Sequence, residues 1–261
     1  MTGRFTVQTR KPKLRLVRAD YEQQMPQEFL MIEKADHLII ESAKLDRPDV
    51  EDLINSRKKP LWFSNADLSG ADLSRLNLSD SYFERCNLAG TDFTAAKLEA
   101  TSWKGCKGAE VKFKSAILNE AKFENSDLNN SDWQNCRLGM ASFASCKLTG
   151  SNFSGANSLG VTFKETLLIG TFLLGFSFYK CELDNLDFSD ADLRDVDFRN
   201  TVFKGGSLSH ARVNGARFNN ADLREVSLHG LKLMEAKQFK GAIISKNQAA
   251  MLLSSLGLTV A

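Results

Sequence analysis

Residues 61–100 read LWFSN ADLSG ADLSR LNLSD SYFER CNLAG TDFTA AKLEA when written in fives, and that spacing decides the fold. The third residue of each group is large and apolar, running Phe63, Leu68, Leu73, Leu78, Phe83, Leu88, Phe93, Leu98. The first residue is small in most groups: Ala66, Ala71, Ser81, Cys86, Thr91, Ala96. Continued in the same frame, the large position holds Trp103, Phe113, Phe123, Trp133, Phe143 and Phe153, passes the exceptions Gly108 and Ser158, and resumes at Phe163. The expectation is one frame without a slip, through Phe178, Phe198 and Phe218 to Ile243, with Gln238 as a further exception. All five cysteines fall in the small column.

A period of five matches neither the 3.6 of a helix nor the 2 of a flat strand. Inward positions alternate between gaps of two and three. A gap of two is one strand pleat with both side chains on one face, and a gap of three requires a corner. Each pentapeptide is therefore one short side of a polygon. Sides this short cannot bury an apolar face alone, so coils must stack, with backbone hydrogen bonds along the rod axis. The small column is a steric demand of a narrow interior.

The units ADLSG (66–70), ADLSR (71–75), CNLAG (86–90), ADLRD (191–195) and ADLRE (221–225) resemble the A(D/N)LXX units of the pentapeptide-repeat family. That resemblance implies an all-β solenoid: a right-handed quadrilateral β-helix with four pentapeptides to the coil, hence about nine coils and a rod roughly 43 Å long. Four sides place Phe63, Phe83, Trp103, Phe123, Phe143 and Phe163 on one face and Phe93, Phe113, Trp133 and Phe153 on the opposite one. After Leu168 and Leu173 the aromatics move to the former leucine faces, so the rod is expected to have two packing blocks.

The expected organisation is an N-terminal extension or cap over residues 1–60, the β-helix over 61–245, and a capping helix and tail over 246–261. In the extension, His37 to Ile40 reads as a strand and Pro48 to Arg57 as a short helix. An open solenoid end exposes unpaired edges. Ser245 and Gln248 form a capping-box signature, followed by Leu252, Leu253 and Leu256 at helical spacing and a stop at Gly257. In gyrase-protecting family members such a helix makes the dimer contact, so the resemblance leaves a homodimer as one option here.

Basic residues exceed acidic ones by two overall, and residues 61–261 balance 22 against 22. Direct nucleic-acid binding is therefore not expected, although Lys104, Lys107, Lys112, Lys114 and Lys122 form a basic stretch interleaved with Glu110, Glu120 and Glu124. No stretch has the apolar length of a membrane span or a signal peptide, which points to a cytoplasmic protein. The cysteines show no CxxC pair, so neither a disulfide framework nor a metal site is expected. His37, His210 and His229 stand alone, and no nucleophile or cofactor motif accompanies them, so neither an enzyme nor a cofactor is expected.

Outward positions are normally polar, yet Leu159, Leu167, Ile169, Phe172, Leu174 and Tyr179 cluster within little more than one coil. An apolar band of this kind is the candidate protein interface, for an external partner or for self-association; the alternatives are that the extension or a distorted coil covers it, or that it lines a small ligand pocket. The acidic run Glu182, Asp184, Asp187, Asp190, Asp192, Asp195 and Asp197 follows it, offset by Arg194 and Arg199. Its residues fall on successive faces, which suits a solvated, self-compensating surface better than a calcium site or a DNA-like stripe. The leading functional expectation is a non-catalytic bacterial scaffold that engages a protein of unknown identity through the side of its rod and its N-terminal extension. The alternatives are a DNA-mimicking protector of a type II topoisomerase (DNA gyrase), by family resemblance, and a secreted effector scaffold.

Overall fold

The chain winds as a right-handed, four-sided β-helix whose first face is a nine-stranded parallel sheet in sequence order. The computed structural model describes residues 37–56, 59–231, 236–255, 257 and 259. Strands β1 (Leu38–Glu41), β2 (Leu61–Ser64), β3 (Tyr82–Glu84), β4 (Ser102–Lys104), β5 (Lys122–Glu124), β6 (Ser142–Ala144), β7 (Thr162–Lys164), β8 (Glu182–Asp184) and β9 (Val202–Lys204) stack along it. Phe63 pairs with Phe83, Phe83 with Trp103 and Trp103 with Phe123, so one turn takes twenty residues. The other three faces are joined by single bridges at the same spacing, such as Asp67 to Asn87, Asp72 to Asp92 and Asn77 to Lys97.

Coils turn their corners at the fifth residue of the repeat, which takes a positive φ at nearly every corner, whether it is Gly70 (69°), Arg75 (62°) or Asp80 (60°). The corner is thus imposed by the coil and not by glycine alone. Glycine is required where Gly108 takes an inward slot: a Cβ there would lie 2.6 Å from Val111 Cγ2 and 2.8 Å from Leu88 Cβ. Val111 fills the space that a large residue occupies elsewhere, which explains that interruption of the frame.

The interior is a pair of aromatic stacks. Phe83 and Trp103 lie 3.8 Å apart and parallel, Phe113 and Trp133 4.2 Å, and Phe123 and Phe143 4.8 Å. The two stacks meet edge to face, as at Phe93 and Trp103 (5.4 Å, 86°). Each such pair adds about 0.5–1.5 kcal/mol beyond its area burial. The small column also satisfies buried donors: the Trp103 indole donates to Thr101 Oγ1 (2.9 Å), and the Trp133 indole to Ser131 Oγ (2.6 Å). The Cys86 and Cys106 thiols donate to Phe63 and Phe83 carbonyls of the preceding coil. The second block restarts with Phe178 on Phe198 (5.3 Å) and Phe198 on Phe218 (4.9 Å).

Both ends are closed. Strand β1 lies in the segment read as an extension, yet it continues the sheet by pairing with β2 from Leu38 to Glu41. Helix α1 (Arg47–Ser56) follows and buries Val50 and Leu53. At the far end, helix α2 (Lys246–Ser255) starts at a reciprocal capping box: Ser245 N donates to Gln248 Oε1 (2.6 Å) and Gln248 N to Ser245 Oγ (3.2 Å). The same glutamine donates from Nε2 to the carbonyls of Leu223 and Val226, both at 2.7 Å, which ties the helix to the last coil.

The frame slips once, contrary to the sequence expectation. Leu208 N donates to Ser227 O, nineteen residues on, whereas Phe218 N reaches Gln238 O and Leu223 N reaches Ile243 O, twenty on. Because His210 N still reaches His229 O, nineteen on, the one extra residue lies between His229 and Gln238. Phe239 takes the inward slot and stacks on Phe218 at 4.9 Å, while Ile243 pairs with the outward Asp222 and is 49% exposed. Beyond β9 the first face continues by single bridges from Val202 to Asp222 and from Asp222 to Ile243, so the last turn carries the slip and the cap.

Candidate protein-docking surface

The repeat dictates which side chains can leave the rod: those flanking each inward large residue, and the corner residue. The apolar band obeys this rule. Leu159, Leu167, Phe172, Leu174 and Tyr179 are all exposed, Leu159 most at 77%, and Ile169 is half-buried. The band does not form one flat patch. Leu167 and Ile169 lie on the second side, Phe172 and Leu174 on the third, and Leu159 and Tyr179 one above the other on the fourth. Sequence reasoning missed Met140, a corner residue with φ of 58° that is 70% exposed beside this last pair. Its signal was available, since Met140 and Leu159 stand in adjacent coils, joined where Met140 N donates to Leu159 O.

The fourth-side members of the band, Leu159 and Tyr179, lie at a break in the backbone ladder. Elsewhere each coil donates to the next at fixed positions: Asn135 N to Ser154 O, Leu138 N to Asn157 O, Met140 N to Leu159 O and Thr162 N back to Ala141 O. Twenty residues later, among the described residues, Gly155 N, Ser158 N, Gly160 N and Glu182 N make none of the corresponding bonds, and Ser177 N turns to the Ser158 hydroxyl at 3.3 Å. Strands β7 and β8 keep only the pairing of Lys164 with Asp184. The cause is a change of size in two columns. Ser158 stands where a large inward residue belongs, and Phe176 stands in the column that holds Ala116, Cys136 and Ala156 in the preceding coils. The Phe176 ring is buried 5.0 Å from Phe178 and 6.1 Å from Phe163, in place of the missing side chain. A backbone that admits it at the narrow position cannot also keep the ladder spacing.

The acidic run is mostly paired within the chain. Arg194 holds Asp192 and Arg199 holds Asp197 through two-pronged contacts, and Arg217 adds a 2.9 Å contact to Asp197. Asp192 and Asp197 are buried, so these two are not part of an acidic surface, because each folds back under its own arginine. Hydrogen bonds from Arg194 hold the Asp192 carboxyl below its ordinary value. Burial pushes Asp197 up, but the hydrogen bonds of Arg199 and the charges of Arg217 and Arg199 outweigh it and leave it lowered. Asp184 and Glu182 face Lys164 and Lys204, and Asp187 accepts from Ser189. Asp190 and Asp195 occupy corners, with φ of 58° and 59°.

The remaining sequence candidates divide. Leu252 is buried against the core and Leu253 is exposed, while Leu256 lies outside the described residues. His210 and His229, distant in sequence, stand with rings 5.2 Å apart and perpendicular, beside a run of hydroxyls linking Ser189, Ser207, Ser209 and Ser227. Among the described residues no group of three or more His, Cys, Asp or Glu could hold a metal ion. No described helix is long and apolar enough to cross a membrane. Burial pushes the Cys136 thiol up, and the Cys146 thiol up to about 11, which makes both poor nucleophiles at neutral pH.

Comparison with known proteins agrees with this geometry. Residues 61–133 and 99–173 match a family model described as pentapeptide repeat region, and residues 160–200 and 203–237 one described as pentapeptide repeats. No curated protein sequence matches the chain. Among solved structures, a trypsin-treated form of QnrB1, described as a plasmid-mediated fluoroquinolone resistance protein, is 24% identical with a TM-score of 0.65, covering 75% of this chain and 98% of its own. Full-length QnrB1 is 21% identical with a TM-score of 0.54, covering 84% of this chain and 97% of its own. At these identities the likeness is one of fold.

Proposed function

Because the chain belongs to the pentapeptide-repeat family, we propose that it is a non-catalytic protein-docking rod that engages a protein partner through the coil spanning residues 161–180. The observation that carries this reading is the exposure of Leu167, Phe172 and Leu174 on two adjacent sides of one coil, next to the open ladder of its fourth side. Elsewhere exposed large apolar residues are sparser, as at Met140, Val202 and Ile243, so no other coil gathers as many for a partner to bury. Here burial removes Phe172, Leu174 and Leu167 from water, at about 25 cal/mol per Å².

Photo-crosslinking tests the reading. A benzophenone amino acid in place of Phe172 should capture a discrete protein in the source cell, and the same group in place of Lys112, lower on the same side, should not. Equal capture from both positions, or none from Phe172, would remove the band as the docking surface.

The second reading, a rod directed at a type II topoisomerase, is favoured by the fold likeness to a fluoroquinolone resistance protein. The charge pattern weighs against it, since the acidic residues are largely neutralised by Arg194, Arg199, Lys164 and Lys204. Supercoiling by purified gyrase, unchanged by a molar excess of this protein with or without a fluoroquinolone, is the expected result.

A further inference from the structure

We infer that the fourth side of the rod, at Leu159, is an isologous contact that takes a second copy of this chain, antiparallel, about a two-fold axis crossing the coil of Ser158. This rests on the reading of the rod as a protein-docking scaffold but uses a different side from the Phe172 surface.

A two-fold axis lying in the plane of contact and perpendicular to the rod keeps each column of side chains facing itself and reverses the order of coils. On the fourth side one outward column runs Asn119, Gly139, Leu159, Tyr179, Arg199, and the corner column beside it runs Glu120, Met140, Gly160, Lys180, Asn200. Centred on Leu159, the operation lays Leu159 on its own copy and each Tyr179 on the other chain's Gly139. Gly160 faces Gly160. The most exposed large apolar residues of the described chain, Leu159 at 77% and Met140 at 70%, therefore become central. Tyr179 is a knob already backed by its own chain, with Lys180 5.1 Å and Arg199 5.2 Å from its ring. Gly139 and Gly160 provide a floor without side chains to receive it.

Charge follows the same symmetry. Lys180 falls opposite Met140 of the second copy, and its ammonium reaches the next corner residue of that column, Glu120. Both are exposed, and neither forms an ion pair with another described residue of its own chain. The two-fold makes this contact twice. The arrangement also places the unpaired amides of Ser158 and Gly160 at the centre, where a dry contact would isolate them and a narrow, hydrated one would not. The footprint covers five coils, roughly 20–24 Å of rod. That is the small end of specific interfaces, so the dimer dissociates on dilution.

Sedimentation velocity of the full chain from about 1 to 500 μM should show a monomer–dimer equilibrium. Leu159→Asp, at an exposed position, should leave the thermal melt unchanged and weaken the dimer at least about tenfold. Glu120→Lys and Lys180→Glu should each weaken it by about 3- to 10-fold, and the double reversal should restore it. A monomer throughout that range, or a dimer indifferent to Leu159→Asp, would overturn the inference. A dimer sensitive to Leu159→Asp but not recovered by the double reversal would overturn the antiparallel arrangement. Failure here leaves crosslinking from Phe172 untouched, so the two readings fail separately.

Discussion

At the scale of single residues, the position within the repeat sets the consequence of a change. Phe123 is fully buried between Trp103 and Phe143 and edge-on to Trp133, so Phe123→Asp places an unpaired charge in an aromatic stack. We expect loss of the cooperative melt and of the β circular-dichroism signal. Lys122→Ala, one residue away and outward, should shift stability by no more than about 0.5 kcal/mol. Asp192 gives a pH-dependent case. Its carboxyl is lowered in the fold by Arg194, so the stabilisation it contributes is present above the unfolded carboxylate value, near 3.9, and is lost as pH falls through the lower folded value. Asp192→Asn should therefore be less stable than the parent at pH 7, and the gap should shrink as pH falls through the carboxylate range. A gap independent of pH would mean that the carboxylate contributes through packing alone. Cys181, the half-buried member of the five cysteines, borders the open ladder, whereas Cys86, Cys106, Cys136 and Cys146 are sealed. A thiol reagent should accordingly titrate one cysteine per native chain and five in denaturant.

At the scale of elements, the caps and the open coil make opposite predictions. Gln248 serves both the start of α2 and two carbonyls of the last coil, so Gln248→Ala should cost about 1–3 kcal/mol. The capping box was legible because its two residues bond each other at fixed spacing. The frame slip before it was harder to see, because Gln238 read as one more exception, like Ser158, and Ile243 fitted the old frame by composition. The available signal was Phe239, which fills the large position if the frame moves by one residue. The open ladder was half legible. Ser158 and Phe176 are conspicuous in their columns, but whether two misfits compensate or break the ladder depends on where the Phe176 ring goes, which spacing does not state. The paired repair Ser158→Leu with Phe176→Ala should close the ladder and raise the melting temperature; a lower melting temperature would show that Phe176 is optimally packed where it is.

At the scale of the whole molecule, the chain is one rod made of two aromatic blocks, joined where the fourth side loses ladder pairing and the coil displays apolar side chains. The β-helix, the stacks and their change of face were legible because a period of five leaves one arrangement of inward pairs. The distribution of the band over three sides was not, since it required knowing which corner each residue follows; Met140 was missed because a corner residue is expected to be polar. The acidic run looked like a surface feature, and only the folding of Arg194 and Arg199 over their own aspartates shows that two of its members are interior. The most direct test is residue-resolved amide hydrogen exchange on the native protein. Gly155, Ser158, Gly160 and Glu182 should exchange much faster than Asn135, Leu138, Met140 and Thr162, their counterparts one coil earlier. Equal protection of the two sets would contradict it, because the ladder would then be continuous and the band would be an ordinary stretch of rod.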